Sequence, residues 1–567
     1  MARAGFDGTG NTELTLTMEY VWRAMVCPFG LSMLIVNLNM KRNNIVDSDH
    51  WLRFMIESAP DDPCQRWLRI DNFAAVPGDS LSSKAAAWIR DRLDSCSRVC
   101  HPMTETKFLP SRLVRVDCDP PRLVETRNWA PSGGLEKYAA LSYCWGKPDE
   151  AKMQLKTENT TIHVMLEGIP QPKMTRLLKE AIQATRALGI PFLWIDALCI
   201  VQGDTGDWER ESKMMGKIYN EAYCTLCAIS SKSCLEGFLQ LRPALLSIPF
   251  SSKLDPSITG EYSLRFRGIV SSQARSLESI RYSAVYEDFT ASSWAQRGWT
   301  YQEYALSKRL VVFSHNAVHF ICPSGSQTLG HIADEEDDGV DFFQVDHLEA
   351  GMTPDEAYNE WCNVAADFSR RLLTYPGDRF PAISGLAGYF GDILGDEYLA
   401  GLWQKDLWRG LYWGVGVNFA ASWVALLEQL SRPNVYRAPS WSWASRDRMA
   451  SFGEACHDRG VFPYGSSDYV EDFRCECKSI EGRAACGGPE RYLTGEVEGG
   501  SLLVTTRTCP LPGPVEISDD LIDTWIGASR TPLVNCAVDW LATHDPSEQW
   551  KYMSLVLLGS AQGLGEC

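Results

Sequence analysis

The stretch FLWIDALCIVQGDTGDWERESKMMGKIYNEAYCTLCAIS, from Phe192 to Ser230, decides the fold class. It opens with an apolar run typical of a buried strand and closes with a second one, YCTLCAIS. Between them, GDWERESKMMGKIYNEA carries apolar residues at helical spacing, and Asp207 is placed to cap the helix. The order strand, helix, strand at these lengths predicts a parallel sheet with helices on its faces.

Two further elements precede this unit. Residues 175–191, TRLLKEAIQATRALGIP, have one apolar face, and Gly189 followed by Pro191 is typical of a helix C-terminus. Residues 138–146, YAALSYCWG, form a short apolar run that ends in glycine, which indicates another buried strand. We therefore expect a strand–helix–strand–helix–strand series in the middle of the chain.

On the C-terminal side, residues 292–303, SSWAQRGWTYQE, predict a helix with Ser292 or Ser293 as its N-cap. Residues 309–322, RLVVFSHNAVHFIC, predict one or two strands. The whole chain divides into four segments on this basis. They are an unassigned segment (1–60), an extension packing on the core (61–137), the central α/β domain (138–306), and an extension that is helical to about residue 413 and then β-rich (307–567).

Composition excludes several classes of protein. The 567 residues include 72 acidic and 54 basic side chains, a net charge of −18 without a basic cluster, which argues against a nucleic-acid partner. The apolar stretch at residues 24–38 is too short, and too broken by proline and glycine, to span a membrane. The 19 cysteines have no framework spacing and the N-terminus lacks a secretion signal, so we expect reduced thiols and a cytoplasmic location.

Three blocks, YAALSYCWG, FLWIDALCIVQ and WAQRGWTYQE, stand in this order in the chain. Together they resemble the fungal heterokaryon-incompatibility (HET) domain, whose pattern is a Leu-Ser-Tyr-x-Trp-Gly strand, a Trp-Ile-Asp-x-x-Cys-Ile-x-Gln strand and an Arg-Gly-Trp-Thr-x-Gln-Glu block. The family often places a Cys…His…Cys group before a Leu-Pro-Ser-Arg-Leu-Val motif. Here SCSRVCHP, residues 95–102, has its histidine after both cysteines. This order weakens any metal or redox role that the segment would share with the family, and no metal ligand is predicted there.

More distantly, the HET pattern resembles the Toll-receptor-like (TIR) domain. That resemblance implies a TIR/flavodoxin-like parallel sheet with flanking helices, followed here by an α+β C-terminal extension that ends in short strands. Some TIR domains cleave NAD with a glutamate, and Glu303 falls at a similar place. A desolvated carboxylate suits the oxocarbenium-like chemistry of glycosyl transfer. In the alternative interpretation, Glu303 pairs with Arg297 or Arg309 and only holds its helix in place.

The ligand-binding candidates surround this glutamate or end a predicted strand. Asp196 follows a strand, and ligands of open α/β sheets bind near the carboxyl ends of strands. It binds a ribose hydroxyl or a metal in one interpretation and caps a helix or loop in the other. The remaining candidates share one of these two positions, and each has a structural alternative. They are Ser142, Trp145, Gly146, Arg297, Trp299 and Gln302.

Other reactive side chains favour structural roles. Cys224 and Cys227 form a single C-x-x-C pair inside an apolar run, whereas zinc requires further ligands, so we interpret both as core residues. His315 and His319 are interpreted as strand residues rather than ligands.

The resemblance implies a role in fungal self/non-self recognition that promotes incompatibility-type programmed cell death. NAD is a candidate substrate, and a nucleotide is a candidate ligand; the sequence leaves the cofactor open. The expected partners are other proteins of an incompatibility system or a second copy of the chain. Two alternatives remain open. One is a non-catalytic scaffold that signals by self-assembly, and the other is an enzyme recruited to a specialised metabolic pathway.

Overall fold

The computed structural model describes most of the chain between residues 12 and 451 and a few strands beyond it. The described ranges are 12–23, 30–42, 45–59, 61–70, 79–102, 108–128, 137–239, 246–270, 284–329, 352–411, 413–415, 437–439, 441–445, 450–451, 474–482, 497–505, 508–510 and 554–556. Much of the predicted β-rich C-terminal part therefore lies outside the described residues.

The elements alternate between strands and helices through the middle of the chain. The strands are β1 (Thr12–Arg23), β2 (Gly30–Arg42), β3 (Ile45–Ser58), β4 (Arg112–Arg115), β5 (Arg122–Glu125), β6 (Tyr138–Ser142), β7 (Phe192–Trp194), β8 (Cys224–Cys227), β9 (Leu246–Ser251), β10 (Thr259–Val270), β11 (Leu310–Phe313), β12 (Val318–Cys322), β13 (Gly325–Thr328), β14 (Tyr398–Leu399), β15 (Leu402–Trp403), β16 (Gly414–Val415), β17 (Ala450–Ser451), β18 (Arg474–Gly482), β19 (Val497–Thr505), β20 (Thr508–Pro510) and β21 (Ser554–Val556). The α-helices are α1 (Pro63–Leu68), α2 (Ser83–Arg98), α3 (Pro148–Lys152), α4 (Ile162–Glu167), α5 (Arg176–Ala187), α6 (Asp196–Cys199), α7 (Thr205–Glu221), α8 (Ala284–Thr290), α9 (Gly298–Ala305), α10 (Pro354–Ser369), α11 (Ser384–Leu394) and α12 (Leu407–Gly410).

An eight-stranded sheet forms the centre of the protein, in the order β13-β12-β11-β8-β6-β7-β4-β5. Its four middle strands, β11, β8, β6 and β7, run parallel. They are buried along their whole length, which explains why the sequence reads as continuous apolar runs rather than as alternation. The outer strands on both sides of this group pair antiparallel.

The prediction of a mixed α/β fold is confirmed, but the expected parallel sheet is only part of it. Parallel ladders occur, among the described strands, only between β7, β6, β8 and β11, and most strand pairs are antiparallel. At the β13 edge the four-residue turn after β11 and the two-residue turn after β12 impose the antiparallel direction, because they cannot carry a crossover. At the other edge a six-residue connection joins β4 to its antiparallel partner β5.

The predicted N-cap of α7 is wrong. The helix begins at Thr205, and the Asp204 carboxylate accepts the backbone N–H of Asp207 at 2.9 Å. The Asp207 side chain is buried inside the first turn, where it pairs with Arg112 and accepts the Val201 N–H at 2.8 Å. Asp207 therefore ties α7 to β4, a long-range contact that local spacing does not reveal.

A second sheet joins the N-terminal segment to the chain after β8. Its order is β1-β2-β3-β10-β9, and every pairing is antiparallel. Arg265 of β10 and Glu57 of β3 form a buried two-pronged ion pair, with N–O distances of 2.6 and 3.1 Å. The apolar stretch that is too short for a membrane contributes β2, whose Leu31 and Leu34 are buried. Among the described residues, no helix has both the length and the apolar character that crossing a bilayer requires.

Helices of the C-terminal extension cover the face of the sheet that carries α9. Aromatic side chains from both sides form one buried cluster, in which Tyr301 and Phe368 lie 6.1 Å apart between ring centroids. Helices α7 and α11 approach closely at Gly216 and Gly385, where an added Cβ on Gly216 would lie 2.9 Å from the Gly385 Cα. The extension therefore fixes the position of α9 from outside.

Candidate active site

The candidate site lies where the carboxyl ends of two parallel strands meet α9. Ser142 is the last residue of β6, and Asp196 follows β7 as the first residue of α6. Glu303 reaches the same place from α9. Three segments that are distant in the sequence thus deliver a hydroxyl and two carboxyl groups to one edge of the sheet.

Glu303 is 7% exposed and is held by a short chain of hydrogen bonds. The Ser142 hydroxyl donates to Glu303 Oε2, and the Trp294 indole N–H donates to Ser142 Oγ at 2.8 Å. Burial raises the pKa of Glu303 to about 7, and the negative charge of Asp196 acts in the same direction. The Ser142 hydrogen bond and the positive charge of Arg297 oppose this shift. Glu303 is therefore an acid that exchanges its proton near neutral pH.

Asp196 is the second carboxyl group of the site. The Trp145 indole N–H donates to its Oδ2 at 2.8 Å, and the Ala197 backbone N–H donates to Oδ1 at 2.7 Å. The pKa of Asp196 is raised because the group is buried. These hydrogen bonds and one with the Tyr143 hydroxyl act in the opposite direction and reduce the shift. Trp145 is half-buried and carries the Lys156 ammonium 5.0 Å from its ring centroid.

Arg297 is the positive charge that the two acids share. It is half-buried directly before α9, and its charge lowers the pKa of both Glu303 and Asp196. A proton-exchanging carboxyl, a second acid and a guanidinium together can stabilise a developing cation, bind a sugar hydroxyl and bind an anionic group.

The family model described as heterokaryon incompatibility protein (HET) matches residues 138–303. The chain contains a HET domain. The match begins at the first residue of β6 and ends at Glu303, so it spans the three segments that build the site. No curated protein and no solved structure matches the chain significantly.

Within the HET domain, Gly146 has a structural requirement. Its φ of +90° lies in the left-handed region, and an added Cβ would lie 2.4 Å from Ser233 Cβ. The glycine lets the chain turn immediately after Trp145 and so directs this indole to Asp196.

Two other candidates of the HET domain contact the C-terminal extension. The Trp299 indole N–H donates to Asp378 Oδ2 at 3.0 Å, and Gln302 Oε1 accepts the Gly385 N–H at 3.1 Å. Gln302 Nε2 is buried without a hydrogen-bond partner. The structure thus brings together Ser142, Trp145, Asp196, Arg297 and Glu303, and it assigns Trp299 and Gln302 to the interface with the extension.

The predicted N-cap of the helix that carries Glu303 is wrong. Helix α9 begins at Gly298, whereas Ser292 Oγ accepts the Ala295 N–H in a separate turn. The Gly298 N–H instead bonds to Leu372 O at 2.8 Å, so a contact with the extension determines where the helix begins. Arg309, one suggested partner of Glu303, donates to the backbone carbonyls of Tyr223 and His101.

Sequence reasoning missed Trp294 as a member of the site, and it placed Tyr143 at the end of the first strand without giving it a role. Both stand inside the quoted blocks, so their presence near the site was visible in the sequence. The sequence contained no signal for the direction in which these side chains point. The Trp294 indole, for example, donates to Ser142, which lies 152 positions away in the chain.

Proposed function

We propose that this protein acts in heterokaryon incompatibility, as an effector of fungal self/non-self recognition that promotes cell death by cleaving NAD or a related nucleotide. The observation that carries the proposal is the buried Glu303 with its pKa raised to about 7, beside Asp196 and Arg297. A second HET protein, or a second copy, is the proposed trigger. A reducing, cytoplasmic location, in which thiols stay reduced, is part of the proposal.

The order of the parallel strands supports a nucleotide ligand. In chain order these strands are β6, β7, β8 and β11, and their spatial order is second, first, third, fourth. The flavodoxin-like order begins in the same way, and its ligands bind at the carboxyl ends where the order reverses, between the first and third strands. Ser142 ends β6 at this switch point. A TIR/flavodoxin-like relationship of this part of the sheet is therefore part of the proposal.

The proposed reaction is hydrolysis of the bond between ribose C1′ and the nicotinamide nitrogen. Nicotinamide leaves with the bonding electron pair as a neutral molecule, and an oxocarbenium-like centre develops at C1′. Ionised Glu303 stabilises this centre, and water then attacks C1′ and gives its proton to Glu303. Asp196 binds a ribose hydroxyl, Trp145 stacks on a base, and Arg297 binds the pyrophosphate. The products are ADP-ribose, nicotinamide and a proton.

Nicotinamide release by the purified full chain tests the enzymatic proposal. Glu303→Gln should abolish release while leaving the far-ultraviolet circular dichroism spectrum unchanged. Glu211→Gln is the matched control, because Glu211 is also buried with a raised pKa but pairs with Arg112 away from the site. Loss of release in both variants, or in neither, would contradict the assignment of Glu303.

A titration with NAD gives an independent measurement. A ligand that binds only the native state raises the melting temperature with its concentration. We expect this rise in wild type and a smaller one in Arg297→Ala. The enzymatic proposal is contradicted if millimolar NAD does not raise the melting temperature in any oligomeric state of the protein and no nicotinamide is released.

One observation favours the second candidate, a scaffold that signals by self-assembly. Among the described strands, β1 lies at one edge of its sheet, and Leu16, Met18 and Trp22 are 50%, 66% and 49% exposed on it. An apolar edge strand is a ready template for pairing with another chain.

The double variant Leu16→Glu/Met18→Glu tests the scaffold. It should lower the mass of any assembly measured by light scattering, whereas Thr15→Glu/Thr17→Glu, on the other face of β1, should have a smaller effect. Toxicity on expression that survives Glu303→Gln but is lost in the Leu16/Met18 variant would favour the scaffold over the enzyme.

A further inference from the structure

Three potential metal ligands from separate parts of the chain meet outside the candidate active site. Cys96 lies in the last turn of α2, His101 follows this helix, and Cys322 ends β12. One ligand atom of each lies within 4.8 Å of the other two. Both cysteines are buried and neither forms a disulfide. The cluster joins the segment before the HET domain to the strands after it.

We propose that Cys96, His101 and Cys322 bind a zinc ion. Two thiolates and an imidazole are the soft ligand set that zinc prefers in proteins. Zinc–sulfur and zinc–nitrogen bonds of ordinary length, at a tetrahedral angle, separate the two ligand atoms by about 3.6 Å. The Cys96 Sγ and the His101 Nδ1 are 3.5 Å apart. These two atoms thus already have the spacing of tetrahedral ligands.

The backbone around the cluster fixes this geometry. The His101 N–H donates to Cys96 O at 2.9 Å, which closes the chain into a turn directly after α2. Buried Arg309 donates to His101 O at 3.1 Å and to Tyr223 O at 2.8 Å, which anchors the same turn to the sheet. The backbone of Cys96 and His101 is therefore held by hydrogen bonds, as a preformed site requires.

The cluster supplies three protein ligands, and a tetrahedral zinc ion takes a fourth. Because His101 is half-exposed, we expect a water molecule in the fourth position. The bound ion connects α2 to β12, because its ligands come from both elements. Metal binding to the native state alone adds its binding free energy to the stability of the fold. The bound ion would therefore hold the N-terminal extension against the edge of the central sheet. This role does not depend on any chemistry at Glu303.

Metal analysis of the full-length protein, purified under reducing conditions, tests the site. We expect one zinc ion per chain, and cobalt substitution should give the intense visible bands of tetrahedral cobalt with thiolate ligands. Cys96→Ser and Cys322→Ser should reduce the bound zinc to background. Cys118→Ser is the matched control, because this thiol is not part of the cluster, and it should retain the ion.

A titration of wild type avoids the risk that a variant fails to fold. After chelation, the melting temperature should fall, and added Zn²⁺ but not Mg²⁺ should restore it. The proposal is overturned if reduced wild type binds no zinc at micromolar concentrations, or if Cys96→Ser folds and keeps its zinc. The proposal is also overturned if the protein is expressed in a reducing cytosol and mass spectrometry finds a disulfide between Cys96 and Cys322.

Discussion

The pKa of Glu303 is raised to about 7 because its carboxyl group lies in the protein interior, where a negative charge is poorly solvated. The Ser142 hydroxyl, at the end of β6, donates to this carboxyl group, and Ser142 Oγ also accepts the Trp294 N–H. The hydroxyl is thereby oriented, since its lone pair receives the indole proton and its own proton points to Glu303. A proton on Glu303 is stable at mildly acidic pH and is lost near neutrality.

This shift predicts a pH-dependent stability that Glu303→Gln removes. The folded pKa of about 7 exceeds the ordinary glutamate pKa of 4.5, so the native state binds the proton more tightly than the unfolded state. The resulting stabilisation is complete below pH 4.5 and is lost as pH rises through 7. Relative to Glu303→Gln, the wild-type free energy of unfolding should fall by about 3 kcal/mol over this range.

Urea unfolding of both proteins at pH 5 and pH 8 measures this difference. Asp406, whose pKa is also raised to about 7, contributes equally to both proteins and therefore cancels. An unchanged gap between wild type and variant at the two pH values would show that Glu303 titrates as an ordinary surface acid.

At the scale of elements, α9 is held between the central sheet and the C-terminal extension. Its Glu303 contacts β6, while Gln302 accepts the Gly385 N–H of α11. Helix α11 can approach because it meets α7 at Gly385 and Gly216, where neither residue has a side chain. The position of the candidate catalytic carboxyl therefore depends on a helix–helix contact beyond the HET match.

Gly216→Ala should destabilise the protein by about 1–3 kcal/mol, since overpacking a close contact forces backbone shifts. The added Cβ would lie 2.9 Å from Gly385 Cα and 3.1 Å from Leu306 Cδ1. Gly388→Ala in α11 is the control. Nothing lies within 4 Å of its added Cβ, and alanine favours a helix over glycine by roughly 1 kcal/mol. The explanation is contradicted if Gly216→Ala unfolds at a urea concentration equal to or higher than that of Gly388→Ala.

At the scale of the whole molecule, the central sheet extends past the HET match in both directions. Strand β11, the fourth parallel strand, follows residue 303, and β4, which pairs with β7, precedes residue 138. Buried aromatic residues from both sides of the boundary form one cluster. They include Trp294 and Tyr301 from within the match, and Tyr304, Trp361, Phe368 and Phe390 from beyond it.

A fragment of residues 138–306 should therefore not unfold cooperatively, whereas a fragment of residues 79–451 should. The shorter fragment lacks β11 and exposes the aromatic cluster, so it cannot bury enough apolar surface. Thermal unfolding followed by tryptophan fluorescence separates the two cases. A sharp transition in the shorter fragment would show that the extensions are dispensable for folding.

The elements that were predictable from sequence are those whose signals are local. Continuous apolar runs predicted the strands around Leu193 and Leu226, and apolar residues at helical spacing predicted the helix between them. The HET blocks indicated the two ends of the site. The cap positions failed, because Asp207 and Ser292 are used by contacts other than the ones their spacing suggests. The N-terminal sheet also had no local signal, since Glu57 pairs with Arg265 across 208 positions.

The sequence by itself determined that the protein is a mixed α/β protein with a HET domain, and it named Glu303, Asp196 and Ser142 as candidates. Only the tertiary structure decided that these three side chains lie at one edge of the sheet, that Trp299 and Gln302 contact the extension, and that Cys322 lies beside Cys96 and His101. The physical reason is that periodicity and capping act within a few residues. Burial, charge coupling and ligand geometry arise between groups that only the folded chain brings together.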